Sequence, residues 1–245
     1  MPPFSLCDNL VIKHLNFLLL KKEKNGILIM NLNTLKSQNE EIMNIIYFFK
    51  LNPKFEGSDS KKNTLAKPQL KEACSKAAKE IIIKALLDFQ GAEVSFSDFL
   101  KDKNGKPYIK NLPDFHFNIS HSENAVVVAI SNSEVGIDCE KLRSADLRIA
   151  KRRFTEKEYA YITEDSSNTD LRFFEIWTKK EAFLKQNGKG ITLPLNSFDV
   201  TNNSLDKIFY TYQKDGFFIS VRTDSLNNDF TFLEIKPIKN NSAAK

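Results

Sequence analysis

Residues 135–140 read Val-Gly-Ile-Asp-Cys-Glu. Apolar and polar side chains alternate there with the period of a strand that buries one face. Val135, Ile137 and Cys139 therefore turn toward a core, and Asp138 and Glu140 leave together on the opposite side. Upstream, residues 115–119 and 125–130 predict two further strands flanking a Ser120-His121 corner, and the turn Asn132-Ser133-Glu134 leads into the acidic strand. Three successive short strands predict a sheet. Before them, residues 96–101 predict a short strand, and Asn104-Gly105 supplies the positive-φ turn of a hairpin.

Downstream the period lengthens to that of a helix, over residues 150–163 and 171–187. In the first half the strongest helical pattern covers residues 73–89, with Ala77, Ile81 and Leu86 in its apolar stripe and Lys71, Lys76, Lys79 and Lys84 punctuating it. Residues 26–35 predict a strand. Residues 39–51 predict an amphipathic helix with Glu40 and Glu41 in its first turn. Pro53, Gly57, Ser58 and Asp59 mark residues 52–62 as a loop. Residues 190–200, 209–223 and 230–236 predict closing strands, and the polar stretch 240–245 a disordered tail. Residues 1–24 carry no clear motif. Each half offers strands and a long helix, which predicts a two-lobed α+β body with its site between the lobes. The division expected is residues 1–112 for a first lobe, 113–238 for a second carrying the acidic strand, and 239–245 for a tail.

Composition adds modest constraints. The chain has 245 residues, 41% of them hydrophobic, enough for one large core or two small ones. A net charge of +5 suits an anionic partner: a phosphorylated small molecule, an acidic protein or nucleic acid. Cys7, Cys74 and Cys139 form no CxxC pair, which disfavours a zinc site or a disulfide framework and points to a reducing cytosol. The longest apolar run, around residues 15–20, is too short to span a bilayer, and Lys21 and Lys22 follow it where a signal peptide would be preceded by charge.

Two carboxylates about 7 Å apart on one strand face raise each other's pKa unless a cation lies between them, and a hard divalent ion is the simplest such cation. Glu181 falls on the second long helix, with Trp177 and Lys185 one turn away on the same face. A helical Glu181 aimed at Asp138 and Glu140 completes three oxygen ligands of the kind magnesium takes while keeping waters and room for substrate phosphates. His121, in the polar corner before the acidic strand, is placed to donate to a phosphate oxygen, and Lys106 and the Gly188-Lys189-Gly190 turn are further candidate donors. No Walker A or GxGxxG loop is present. Dispersed lysines and the absence of any recognition motif argue against a nucleic-acid binder, and Asp138, Glu140 and Glu181 would repel phosphates without a metal.

The ordered set Gly105-Lys106-Pro107-Tyr108, Phe117-Asn118-Ile119-Ser120-His121-Ser122, Val135 to Glu140, Phe154 to Tyr159 and Trp177-Thr178-Lys179-Lys180-Glu181-Ala182-Phe183-Leu184-Lys185 resembles the 4'-phosphopantetheinyl transferases of the surfactin-synthetase-activating type. The resemblance spans roughly residues 96–200 well and the first 90 loosely. It implies a pseudo-dimer of two similar α/β lobes with coenzyme A in the cleft between them. The reaction implied moves the phosphopantetheine arm of coenzyme A to a serine hydroxyl of an acyl or peptidyl carrier protein, releasing adenosine 3',5'-bisphosphate. By position, Asp138, Glu140 and Glu181 match the magnesium ligands, His121 a phosphate contact, and Lys180 and Lys185 the basic residues near the pyrophosphate. Lys106 and Ser120 match contacts in the coenzyme cleft, and Glu158 a further acidic position. Glu181 or a metal-bound water would act as base. Cys139 replaces the usual apolar residue between the acids. Lys76, Lys79 and Lys84 stand where relatives commonly place arginines for the 3'-phosphate, offering point charges without bidentate geometry. Lys141, Arg143, Arg148, Lys151, Arg152, Arg153 and Lys157 outnumber Asp146, Glu156 and Glu158, so an acidic carrier is expected to dock near Arg148, Lys151 and Arg152. A cytosolic monomer with no nucleic-acid or membrane partner is expected, and a catalytically silent relative is the alternative.

Overall fold

The structure, a computed structural model, describes residues 17–23, 26–30, 44–52, 65–188, 193–201, 209–224 and 230–237. The protein is α+β. Its strands are β1 (Phe17–Glu23), β2 (Gly26–Met30), β3 (Ile45–Lys50), β4 (Phe99–Lys101), β5 (Pro107–Ile109), β6 (His116–Ser122), β7 (Ala125–Ser131), β8 (Val135–Lys141), β9 (Phe209–Lys214), β10 (Phe217–Thr223) and β11 (Thr231–Pro237). Its helices are α1 (Lys67–Gln90), α2 (Leu147–Arg153), α3 (Glu156–Thr163) and α4 (Thr169–Gln186). Six strands form one sheet in the order β2-β1-β11-β3-β7-β6, three form a second, β8-β10-β9, and β4 pairs with β5 as a small hairpin.

The hydrophobic run Ile45-Ile46-Tyr47-Phe48-Phe49 is a strand, which corrects the helix expected over residues 39–51; residues 39–43 lie outside the described ones. β3 is an interior strand between β11 and β7, and both of its faces are covered by packed elements, so it needs no alternation. Ile45, Tyr47 and Phe49 pack with α1, and Ile46 and Phe48 with the core shared by β8 and β10. β-Branched and aromatic residues favour this buried pleat over a helix.

α1 begins at Lys67-Pro68, where proline loses no helical hydrogen bond, and ends at Gly91, whose φ of 65° provides the left-handed cap. Residues 147–163 form two helices rather than one, because Thr155 accepts from the Glu158 amide while the Glu158 carboxylate accepts from the Thr155 amide. That reciprocal box starts a new helix inside an otherwise continuous pattern. No strand occurs in residues 193–200, where one had been expected; a short 3-10 turn at Leu195–Ser197 takes its place, and residues 190–192 are outside the described ones. Residues 96–98 likewise form a 3-10 turn that shortens the expected strand to β4. The described strands 116–131 and 231–237 share the six-stranded sheet with β1 to β3, so hydrogen bonding crosses the division expected near residue 112.

α4 lies against β8 and β10. Gly136 permits this: a β-carbon there would strike the Ala182 carbonyl and the Gln186 amide, both backbone atoms of α4. Gly136→Ala is expected to cost about 3 kcal/mol or more, at the upper end of overpacking penalties, read from urea unfolding midpoints; an unchanged midpoint would show that the helix can yield.

On α1, burial raises the Glu80 carboxyl to about 7, with Lys76 opposing the shift, and its Oε2 is buried without a hydrogen-bond partner. Between its ordinary value of 4.5 and about 7 the folded chain holds a proton that the unfolded chain releases. Stability therefore falls as pH rises through that window. Glu80→Gln is expected to raise the melting temperature by about 2–4 °C at pH 8, for a solvent-discounted effect of order 1 kcal/mol, and to change it little at pH 4.5. Equal shifts at both pH values would exclude this group as the cause.

Candidate active site

β6, the outer strand of the large sheet, runs beside β8 of the small one. Backbone pairing does not join them. Instead Asn118, Ser120 and Ser122, alternate residues on one face of β6, bond to β8. Asn118 Oδ1 accepts from the Ile137 amide at 3.0 Å, and Ser120 Oγ donates to Asp138 Oδ1 at 2.9 Å. Ser122 Oγ accepts from the Lys141 amide at 3.1 Å and donates to Glu140 Oε2 at 3.2 Å.

From α4, Lys185 Nζ donates to Asp138 Oδ1 at 2.6 Å and to Ser120 Oγ at 2.9 Å. Asp138 is 5% exposed, and its second oxygen, Oδ2, is buried with no hydrogen-bond partner. An acceptor left bare in this way is costly unless a cation or donor completes it. Burial, then Asp138 and Glu140, push the Glu181 carboxyl above its usual range, with Lys185 pulling it back. Glu140 is raised by burial and by Asp138, against the Arg143 guanidinium and the Ser122 hydroxyl. These three carboxylates thus sense one another from β8 and α4.

Among the described residues no group of three or more His, Cys, Asp or Glu side chains is gathered tightly enough to hold a metal ion. Lys185 holds one oxygen of Asp138, and Arg143 Nη1, at 3.1 Å, shares Glu140 Oε2 with Ser122. The donor chemistry nevertheless fits a hard divalent ion. All three candidate ligands are carboxylates, Asp138 Oδ2 is bare, and Glu140 and Glu181 stay above their usual range despite Arg143 and Lys185.

His121 lies at the end of β6. Burial, then Lys185 and Lys71, lower its pKa and favour the neutral ring, while Asp138 opposes. Lys71, in the first turns of α1, is thus a cation close to His121, which the sequence reading named on the helix without assigning to the site. Its proximity arises because α1 packs on β6 and β7, where Cys74 Sγ donates weakly to the Glu123 carbonyl at 3.7 Å.

The other expected cleft lysines are placed elsewhere. Lys180, expected near the pyrophosphate, is fully buried. Its Nζ donates to Glu158 Oε1 at 2.7 Å and to the Leu195 and Phe198 carbonyls at 2.6 and 2.7 Å, and lies over the Phe198 ring. One residue along a helix is about 100° of rotation, so Lys180 and Glu181 point to different surroundings. Lys106 donates to the Gln186 carbonyl at 2.9 Å and pairs with Glu134, beside a shallow cleft with Asp102, Tyr108 and His116 that Asp138, Glu181 and Lys185 do not line. Lys84 pairs with Asp88 one turn on, and Lys76 acts electrostatically on Glu80. Trp177 stacks on Phe173, 6.0 Å between centroids, and anchors α4 in the helical core. Residues 189–190 lie outside the described ones.

The two sheets of this α+β body thus meet at a cluster of carboxylates and a lysine. Residues 134–234, which contain β8 and α4, match the family model described as the 4'-phosphopantetheinyl transferase superfamily. The chain is 43% identical over 117 residues to the 4'-phosphopantetheinyl transferase gsp of Aneurinibacillus migulanus, covering 47% of this chain and 48% of that one. It is 46% identical over 103 residues to the 4'-phosphopantetheinyl transferase Sfp of Bacillus subtilis (strain 168), covering 42% and 46%. It is 35% identical over 123 residues to the 4'-phosphopantetheinyl transferase HetI of a Nostoc species, covering 47% and 52%. The chain thus spans about half the length of these curated relatives, and the similarity over that part agrees with the resemblance carried by its motifs. No helix among the described residues is long and apolar enough to cross a membrane.

Proposed function

We propose that the protein transfers the 4'-phosphopantetheine arm of coenzyme A to a serine hydroxyl of an apo acyl or peptidyl carrier protein. The observation that carries this reading is the Asp138 carboxylate, clamped on one oxygen by Lys185 and Ser120 and bare on the other, with Glu140 and Glu181 nearby. In the step, the serine oxygen bonds to the phosphorus that carries the pantetheine, the bridging P–O bond breaks, and adenosine 3',5'-bisphosphate departs with that oxygen. Asp138, Glu140 and Glu181 would hold magnesium, which when bound neutralises charge on the diphosphate and orders the reacting groups.

The residues of the chain divide the remaining tasks. Lys185, partly exposed beside Asp138, is placed to donate to diphosphate oxygens. His121, with Lys71 and Lys185 around it, offers a positive corner for a phosphate. Glu181, or a water on the metal, would take the serine proton as general base. Lys180 takes no part in contacting coenzyme A, because its ammonium is fully committed to Glu158 and two carbonyls.

The test is mass spectrometry of apo carrier proteins incubated with the protein, coenzyme A and magnesium: a gain of about 340 Da, the mass of the arm, supports the reading, and no gain on several carriers defeats it. α2 is the proposed carrier contact. Arg148, 92% exposed in its side chain, is held out by its N-cap Asp146 at 2.8 Å, and Lys151 and Arg152 are exposed on the same helix. Reversing these three charges is expected to raise KM for carrier about tenfold or more at low salt and to leave that for coenzyme A unchanged. An unchanged carrier KM would remove α2 from the interface.

A further inference from the structure

We propose that Ser122 is a positioning residue for Glu140, fixing this carboxylate for a divalent ion through a single hydroxyl that ties the two sheets together; the inference rests on the metal reading above. The hydroxyl does two things at once. Its lone pair takes the Lys141 amide at 3.1 Å, and its proton goes to Glu140 Oε2 at 3.2 Å. Backbone and side chain of adjacent residues on β8 are therefore held by one atom of β6.

Asn118, four residues earlier on β6, makes the matching bond to the Ile137 amide at 3.0 Å. Asp138 and Glu140 lie between these two fixed amides, so the segment carrying both acids is bracketed from the neighbouring sheet. Neither bond belongs to a strand ladder, since β6 pairs with β7 and β8 with β10. Side chains alone determine how β8 sits against β6.

Glu140 has a competing partner. Arg143 Nη1 reaches the same Oε2 at 3.1 Å from a side chain that is 59% exposed, and Nη1 also donates to the Lys141 carbonyl. Without Ser122 the carboxylate answers only to this exposed surface guanidinium and turns outward. With it, Oε2 is bonded from the β6 side as well, and Oε1 is committed to neither donor. Partners that orient ligating carboxylates ordinarily account for about 10–100-fold in metal affinity.

The experiment titrates the full chain with Mn2+ alone, without coenzyme A, following free ion by electron paramagnetic resonance, together with amide hydrogen exchange at Lys141. Ser122→Ala is expected to raise the Mn2+ dissociation constant about tenfold or more and to speed Lys141 exchange. Ser122→Thr, which keeps the hydroxyl, is expected to restore both to within about threefold of the parent. Wild-type affinity in Ser122→Ala, alongside loss in Glu140→Gln, would overturn the positioning role and leave the metal site standing. A threonine variant as weak as the alanine one would overturn it too. Undiminished binding by Glu140→Gln would instead defeat the metal reading itself.

Discussion

Asp138→Ala is expected to lower phosphopantetheine transfer by about 10³-fold or more, the range seen when an electrostatic element of a transition state is removed. Three losses coincide in that variant. The bare Oδ2 disappears and with it the best-placed metal ligand, Lys185 loses its 2.6 Å partner, and Ser120 loses the acceptor that ties β6 to β8. Asp138→Asn separates charge from shape: it keeps the side-chain volume and an acceptor for Ser120 while withdrawing the negative charge. It is expected to fold with a melting temperature close to the parent and to remain nearly as inactive as the alanine variant. The readout is the initial rate of carrier mass gain at saturating coenzyme A. Retention of more than about a tenth of the rate in either variant would contradict the placement of the metal and the diphosphate at this carboxylate.

The second large effect lies behind α4. Lys180 and Glu158 are both 0% exposed, and every Lys180 proton has an acceptor: Glu158 Oε1, the Leu195 carbonyl and the Phe198 carbonyl. Glu158 in turn accepts from the Val200 and Thr155 amides. Burial lowers the Lys180 pKa and Glu158 raises it back, so the charge persists only with its partner in place. Removing one member of such a pair costs about 3–5 kcal/mol because the other stays behind uncompensated. Lys180→Met is therefore expected to drop the melting temperature by about 6–20 °C at roughly 2–4 °C per kcal/mol. Combined with Glu158→Gln, much of that loss should return, since no buried charge remains and the amide oxygen still serves Val200. A double-mutant cycle in urea measures the coupling. A single-variant loss below about 1 kcal/mol would mean that water reaches the pair. Below its melting transition the methionine variant should keep its KM for coenzyme A, the result that separates a buried strut from a pyrophosphate contact.

That pair also shows where reading a sequence stops. The helix from Thr169 to Gln186 and the acidic strand were both legible, because 3.6- and 2-residue periods mark them directly, and Glu181 and Lys185 indeed share a helix face toward β8. Lys180 matched its motif by position alone. Which way it points depends on residues 194–200, fourteen or more positions later, and no local pattern encodes their return. β3 was misread because a strand buried on both faces has no alternation, and the two glutamates preceding it imitate a helix start. Lys71 was seen but not assigned, since its closeness to His121 follows from α1 crossing β6. The Asn118 and Ser122 bonds to β8 amides were likewise hidden, because they join strands of different sheets.

β11 enters the large sheet between β1 and β3, antiparallel to the first and parallel to the second. Thr231 stands opposite Ile45 and Phe17 opposite Pro237, so pairs separated by most of the chain close the sheet. During synthesis on the ribosome, β1 and β2 can pair with each other, and β3 with β7 and β6, but the two groups stay apart until residues 231–237 have emerged from the exit tunnel. The nascent protein thus waits with two open strand edges, the template that invites pairing with other chains. Its final cooperative step is slow, as non-local strand closure is. Expression systems that slow elongation would lengthen this exposure, and a chain released early, before β11, would keep Asp138, Glu140 and Glu181 while its large sheet remained divided.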